Sequence, residues 1–215
     1  MKERGMIFNA EMVRALLDGR KTQTRRIIKD CTVGRDPISK FIKIGKKFIG
    51  CYPEDVPELI RECCPYGVPG DRIWVRETWA EAGASAPDLK LYRANYPEHV
   101  PSIYENVPPA EEIRWTPSIH MPRTASRILL EITDVRVERL NAISEEDAEA
   151  EGIDMEALYD SQDCYDCIAD HNMTGRPTVT GAFKYLWESI YGEEGWKSNP
   201  WVWVIEFKRV EGGAE

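Results

Sequence analysis

The sequence predicts a single α+β domain, and three observations predict it. An amphipathic helix pattern opens the chain, a long strand-like run crosses its middle, and an alternating strand rich in tryptophan closes it. Its 215 residues suit one domain with insertions, since a domain usually takes roughly 100–200.

The first helix is expected from about Ala10 to Asp18. Asn9 offers an N-cap, Phe8 and Val13 a hydrophobic staple, and Met12/Leu16 and Val13/Leu17 repeat at i,i+4. Gly19 suits the left-handed stop. The basic segment Arg20–Arg26 follows at once as a loop or a bent strand, then apolar Ile27 and Ile28. Gly70-Asp71 reads as a turn into a strand from Arg72 to Thr78. Residues 80–125 read as an insertion, because they hold seven of the fourteen prolines and cannot sustain regular helix or central strand. A strand is expected from Arg127 to Arg139. Its apolar phase shifts at Thr133-Asp134, which suggests a bulge of the kind that curls a sheet toward a barrel. Ser144-Glu145-Glu146-Asp147 is a capping pattern that starts a short helix, which Gly152 stops. Residues 154–180 read as a polar, irregular second insertion. A helix over Gly181–Tyr191 places Phe183, Leu186, Trp187 and Ile190 at core spacing. The last strand runs from Trp201 to Lys208, with its tryptophan face expected against the barrel interior or the 181–191 helix.

The net charge is −9. This argues against a broad duplex-binding surface, because phosphate binding rests on Lys and Arg, but it makes local basic clusters informative. No apolar run approaches the roughly 18 residues of a membrane span, and the opening MKERGMIFNA has no apolar signal region. The expectation is a cytoplasmic protein with no membrane contact. In that compartment the six cysteines are free thiols or metal ligands rather than disulfides. Cys164-x-x-Cys167 with His171 is half of a zinc site. It lacks a matching second pair, so no metal and no cofactor are expected.

Four features carry candidate chemistry. Arg20, Lys21, Arg25 and Arg26 are four cations within seven residues, with Thr22 and Thr24 interleaved and no acid among them. They form either an anion-binding cluster or a solvated loop paired with surface carboxylates. Glu151 sits at a helix C-terminus, where the macrodipole disfavours a carboxylate, and is either kept for a site or on a helix too short to matter. Trp74 and Arg76 share one strand face and either stack a base or pack beneath the insertion. Arg114–Arg127, with Trp115, His120 and Arg123 and no acid, is either a second wall of an anion site or a neutralised basic loop.

A helix followed by Gly19-x-Lys21-Thr22-x-Thr24-x-Arg26, then Gly70-Asp71, then a strand feeding Ser144-x-x-Asp147-Ala148-x-x-Glu151-Gly152, resembles the ASCH domain family of the PUA-like superfamily. The closing strand Trp201–Phe207 is similar too. The longer form, with Cys64-Pro65-Tyr66-Gly67 before Gly70-Asp71 and Trp74-Val75-Arg76-Glu77-Thr78-Trp79 after it, resembles proteins of phages and prophages. The resemblance covers the ends and middle strands and leaves out 80–125 and 154–180. It implies a small PUA-like β-barrel with flanking helices and a cleft facing the first helix, suited to RNA or a nucleoside. One branch hydrolyses N4-acetylcytidine, and its lysine, threonine and glutamate fall on Lys21, Thr24 and Glu151. There the threonine is the nucleophile, the lysine activates it and the glutamate handles protons. Those enzymes are much shorter than this chain.

The leading expectation is therefore an RNA- or nucleotide-binding protein with a basic cleft around Lys21, Thr24 and Arg26. Arg20, Thr22, Arg25, Trp74, Arg76 and Arg123 are its further ligand contacts. A nucleoside amidohydrolase using Lys21, Thr24 and Glu151 is one alternative. A phage-encoded module that binds a protein partner through 80–125 is another. On the leading reading, Lys21→Ala and Arg26→Ala weaken binding without moving the thermal midpoint.

Overall fold

A computed structural model describes residues 1–28, 42–44, 47–49, 60–61, 64–83, 86–160 and 178–210. Its centre is a mixed five-stranded sheet in the order β1-β5-β8-β9-β2. The strands are β1 (Glu3–Ile7), β2 (Gln23–Ile27), β5 (Arg72–Arg76), β8 (Leu129–Arg139) and β9 (Trp201–Arg209). β1 and β5 run parallel, and the other neighbours are antiparallel. Two hairpin ladders lie outside it: β3 (Ile42–Ile44) with β4 (Lys47–Ile49), and β6 (Trp79–Glu81) with β7 (Lys90–Tyr92). The helices are α1 (Ala10–Leu17), α2 (Glu145–Ala150), α3 (Met155–Asp160), α4 (Val179–Tyr191) and α5 (Glu193–Lys197).

The local signals act as the sequence anticipates at several places. Asn9 accepts from the Met12 amide at 2.8 Å to cap α1, and Ser144 accepts from the Asp147 amide at 3.1 Å to cap α2. Gly19 and Gly152 take positive φ, +77° and +96°, where each helix turns back. The register of β8 against β9 slips between Ile132 and Asp134, so the expected bulge is present.

β9 holds the fold together. It is paired on both sides, and both of its faces are buried. Trp201, Trp203, Ile205 and Phe207 join the core that α1 covers with Met12, Val13 and Leu16. Val202 and Val204 join a second core with Phe183 and Trp187 of α4. The tryptophan face thus packs in the α1-side core and not against the 181–191 helix, where one of the two expectations put it. A third cluster of Trp79, Tyr92, Met121 and Ala125 anchors the proline-rich insertion, whose backbone alternates short 3-10 turns with the β6–β7 hairpin.

Three elements add to or correct the sequence reading. Glu3–Ile7 is a strand, which its charged start conceals; its parallel partner β5 lies far along the chain. The basic segment becomes strand from Gln23 to Ile27, because the backbone of β9 is there to pair with it. Residues 154–180 are not uniformly irregular: Met155–Asp160 is helical, and α4 begins at Val179 rather than Gly181. Cys164, Cys167 and His171 lie outside the described residues.

The five-stranded sheet is open, with β1 and β2 at its edges, and closure into a barrel is not shown among the described residues. The two edges nonetheless approach each other. Arg26 of β2 donates to the Ile7 carbonyl of β1 at 3.0 Å, and the next residue, Phe8, meets Phe207 of the inner strand β9 edge-on at 6.4 Å between ring centroids. No described helix is long and apolar enough to cross a membrane.

Candidate functional site

After α1, the turn at Gly19 brings Lys21 back so that its amide donates to the Ala15 carbonyl at 3.0 Å. The Thr22 amide donates to the Ala150 carbonyl at 2.9 Å, and Lys21 and Glu151 form an isolated antiparallel bridge. The end of α2 is thus stitched to the start of β2, and this places Glu151 on Lys21.

The Lys21 amine donates to the Glu151 carboxylate at 2.8 Å and to the Glu151 carbonyl at 2.7 Å. Arg25 donates to Glu151 at 3.3 Å, to Glu138 at 3.2 Å and to Asp147 at 2.7 Å. The side chains of Lys21 and Arg25 are 0% exposed. Arg136 extends the network to Glu138, Asp147 and Glu206. Burial pushes the Lys21 amine below the ordinary lysine range, and Glu151 opposes that push. Burial raises the Asp147 carboxyl, but hydrogen bonds from Arg136 and Arg25 outweigh it and hold the group below its ordinary value. For Arg136 burial disfavours the charge, and Glu138 and Asp147 overcome it.

Thr24 is fully buried, and its hydroxyl has no hydrogen-bond partner. It pairs across the sheet with Ile205, whose side chain lies in the α1-side core. Arg25 pairs with Val204 and lies 5.9 Å from the Phe183 ring, on the α4 side. Strand alternation therefore puts Thr24 on the face opposite Arg25. Lys21 and Glu151 come together; Thr24 lies three residues away and hydrogen-bonds to neither.

The expected ligand contacts divide. Arg25 is corrected to a core residue, since its buried guanidinium serves the buried Glu151 and the half-buried Glu138 and Asp147. Arg123 is held by Glu3 at 2.8 Å at the start of β1, and Arg127 by Glu77 at 2.9 Å, so these two arginines of the 114–127 stretch are paired with carboxylates. Thr22 is exposed. Arg20 is partly exposed and donates to the Gly152 carbonyl and to Asp18, both at 2.9 Å. Trp74 lies beneath Arg76, 5.4 Å from guanidinium carbon to ring centroid.

Arg26 and Arg76 do meet, in a hollow of about 440 Å³ that they line with Met6, Tyr66, Ile190 and Tyr191. Arg26 lies 5.4 Å from the Phe8 ring centroid and bonds only backbone carbonyls; Arg76 bonds the Ile119 carbonyl. Neither arginine has a carboxylate within ion-pair distance among the described residues. Tyr191 is partly exposed and stacks on Trp187 at 4.4 Å. A second hollow of about 510 Å³, lined by Arg14, Arg20, Glu151 and Tyr185, adjoins the first across Met12. Sequence reasoning missed Arg14, Tyr66 and Tyr191, and it placed Ile190 in the core although it is 45% exposed. The last helical turn of α4, with Ile190 and Tyr191 adjacent and apolar, holds the one signal that bears on them.

Among the described residues, no group of three His, Cys, Asp or Glu is placed to hold a metal. Comparison with protein-family models, with curated proteins and with solved structures gave no match.

Proposed function

We propose that this chain binds RNA or a nucleotide in the hollow that Arg26 and Arg76 share. The observation that carries this reading is two guanidinium groups without carboxylate partners among the described residues, lining one hollow beside tyrosine rings, in a chain of net charge −9. Two guanidinium groups that line one hollow, with no counter-ion among the described residues, suit an external anion. Guanidinium forks match phosphate oxygens, and a tyrosine face accepts a base of any identity. The volume falls within the range of small-ligand sites. The finer fold reading belongs with this proposal. A PUA-like barrel, its cleft facing α1, accounts for the approach of β1 to β2 around the hollow. The test is titration with a labelled single-stranded oligoribonucleotide at several salt concentrations. Binding that weakens linearly in log salt supports the reading, and absence of binding at low salt overturns it.

Two observations favour a second reading, an amidohydrolase acting on N4-acetylcytidine-like nucleosides. The Thr24 hydroxyl is buried without a partner, and burial favours a neutral Lys21 amine. That chemistry requires the Lys21 amine to leave Glu151 and reach the Thr24 hydroxyl. Folded protein that releases no acetate from N4-acetylcytidine above background excludes it.

A further inference from the structure

β1 is an edge strand, and β5 is its one neighbour among the described strands. The Arg72 amide donates to the Lys2 carbonyl at 2.8 Å, and the Phe8 amide donates to the Arg76 carbonyl at 3.1 Å. In a parallel ladder anchored at those two points, Lys2, Arg4, Met6 and Phe8 turn their peptide groups toward β5. Glu3, Gly5 and Ile7 turn theirs away. The Ile7 carbonyl accordingly accepts from Arg26, on the side away from β5. The Gly5 carbonyl and the Ile7 amide, next to each other along that open edge, have no hydrogen-bond partner among the described residues.

Gly5 and Ile7 both line the hollow that holds Arg26 and Arg76. Gly5 has no side chain, so it lines the hollow with its backbone. Among the described residues no carboxylate lines this hollow, while Tyr66 and Tyr191 do. Position 5 also admits only glycine. Gly5 stands opposite Trp74 in the ladder, and a Cβ there would lie 2.6 Å from the Trp74 ring and 2.9 Å from the Arg76 Cδ. The bare backbone lets the Trp74 ring lie across β1, with the Arg76 guanidinium carbon 5.4 Å from the ring centroid. The same residue therefore opens the strand edge and allows Arg76 its place beside it.

We infer that the open edge of β1 holds the base of the bound nucleotide by its edge, through hydrogen bonds to the Gly5 carbonyl and the Ile7 amide. This rests on the nucleotide-binding reading above and deepens it: the arginines hold the phosphate, and the strand edge holds the base. Each nucleotide base carries an N–H next to a ring-nitrogen or carbonyl acceptor on its Watson–Crick edge. The strand offers the complement, an acceptor next to a donor. The contact selects a base over a bare sugar phosphate without choosing among the bases. Tyrosine rings alone would hold the base by its face and leave its edge free. A peptide strand docking on β1 fits less well, because it needs a longer row of open groups and Arg26 already occupies the Ile7 carbonyl.

The test titrates uridine monophosphate, 3-methyluridine monophosphate and ribose 5-phosphate into the full chain at low salt. The added methyl group replaces the N3 hydrogen at the base edge and leaves the ring face and the phosphate as they are. The methylated nucleotide should bind at least about fivefold more weakly than uridine monophosphate, since it leaves the Gly5 carbonyl covered and unpaired. Uridine monophosphate should bind at least about tenfold more tightly than ribose 5-phosphate. Ile7→Pro removes one amide hydrogen that lies outside the ladder, where a sheet edge tolerates proline. It should narrow the advantage of uridine monophosphate over ribose 5-phosphate by about fivefold. The methylated probe acts on the parent chain and decides the matter even where the proline variant fails to fold. Equal affinity for the two nucleotides, or folded Ile7→Pro with the parent's advantage, overturns the edge contact and leaves the arginine site standing. Failure of uridine monophosphate and ribose 5-phosphate alike to bind overturns the nucleotide reading itself.

Discussion

Lys21 and Glu151 lie 130 positions apart in the chain, yet their side chains meet at 2.8 Å with both residues buried. Removing one partner of such a pair strands a charge in the interior, at about 3–5 kcal/mol. Glu151→Ala is therefore expected to lower unfolding free energy by that order in urea titration. Lys21→Met combined with Glu151→Leu should recover a large part of the loss, because both charges are then gone. This departs from the sequence expectation for Lys21→Ala, which should now lower the melting temperature distinctly.

The pH dependence follows from Asp147. Burial raises its carboxyl, but Arg136 and Arg25 bring its folded pKa below the unfolded value. A group depressed by folding contributes stability that is fully present above its unfolded pKa of about 3.9 and is lost as pH falls through the folded pKa. Stability measured in urea across an acid series should hold near neutrality and fall below about pH 4. Asp147→Asn should lower stability at neutral pH and flatten that fall. An equally steep acid fall in the variant would show that other carboxylates carry it.

Ile205 of β9 is 0% exposed, between the paired strands β2 and β8. Ile205→Ala should cost about 2–5 kcal/mol through lost burial and the cavity left behind. Truncation before Trp201 should abolish cooperative folding, since it removes the strand that separates the two cores. A soluble truncate with a sharp melting transition would contradict the central place given to β9.

Gly152 has φ +96°, and a Cβ there would stand 2.8 Å from the Ala15 Cβ and 2.9 Å from the Lys21 Cβ. Gly152→Ala combines left-handed strain with a clash against the Ala15 and Lys21 Cβ atoms, which cannot swing away. It should cost more than about 1 kcal/mol. Thermal melting checks this; a variant as stable as the parent would mean that the α2–β2 junction relaxes freely.

Helices α1, α2 and α4 and the long strands were legible because their signals are local, whereas α3 and α5 were not read. Asn9 and Ser144 cap, Gly19 and Gly152 stop, and the phase shift at Thr133-Asp134 becomes a register slip. β1 was not legible, since Glu3–Ile7 becomes a strand only when β5 is placed alongside it. The site was legible as residues but not as an arrangement. The clustering of cations drew attention to 20–26, yet strand alternation sends Arg25 inward to Asp147 and leaves Arg26 at the hollow. That division depends on pairing with β9. Tyr66 and Arg14 line their separate hollows only through tertiary packing, and no local pattern announces them.

The central claim, that Arg26 and Arg76 together hold a nucleotide phosphate, is tested most directly by titrating a labelled oligoribonucleotide into the parent protein and into the Arg26→Ala/Arg76→Ala variant. Tyr191→Ala serves as a second variant that leaves the contact between the sheet edges intact, and melting curves confirm that each is folded. The account predicts at least about a tenfold loss of affinity in the double variant and a salt slope lower by about 0.7, the value for one phosphate of a single strand. Folded double variant that binds with the parent's affinity and the parent's salt slope would contradict it.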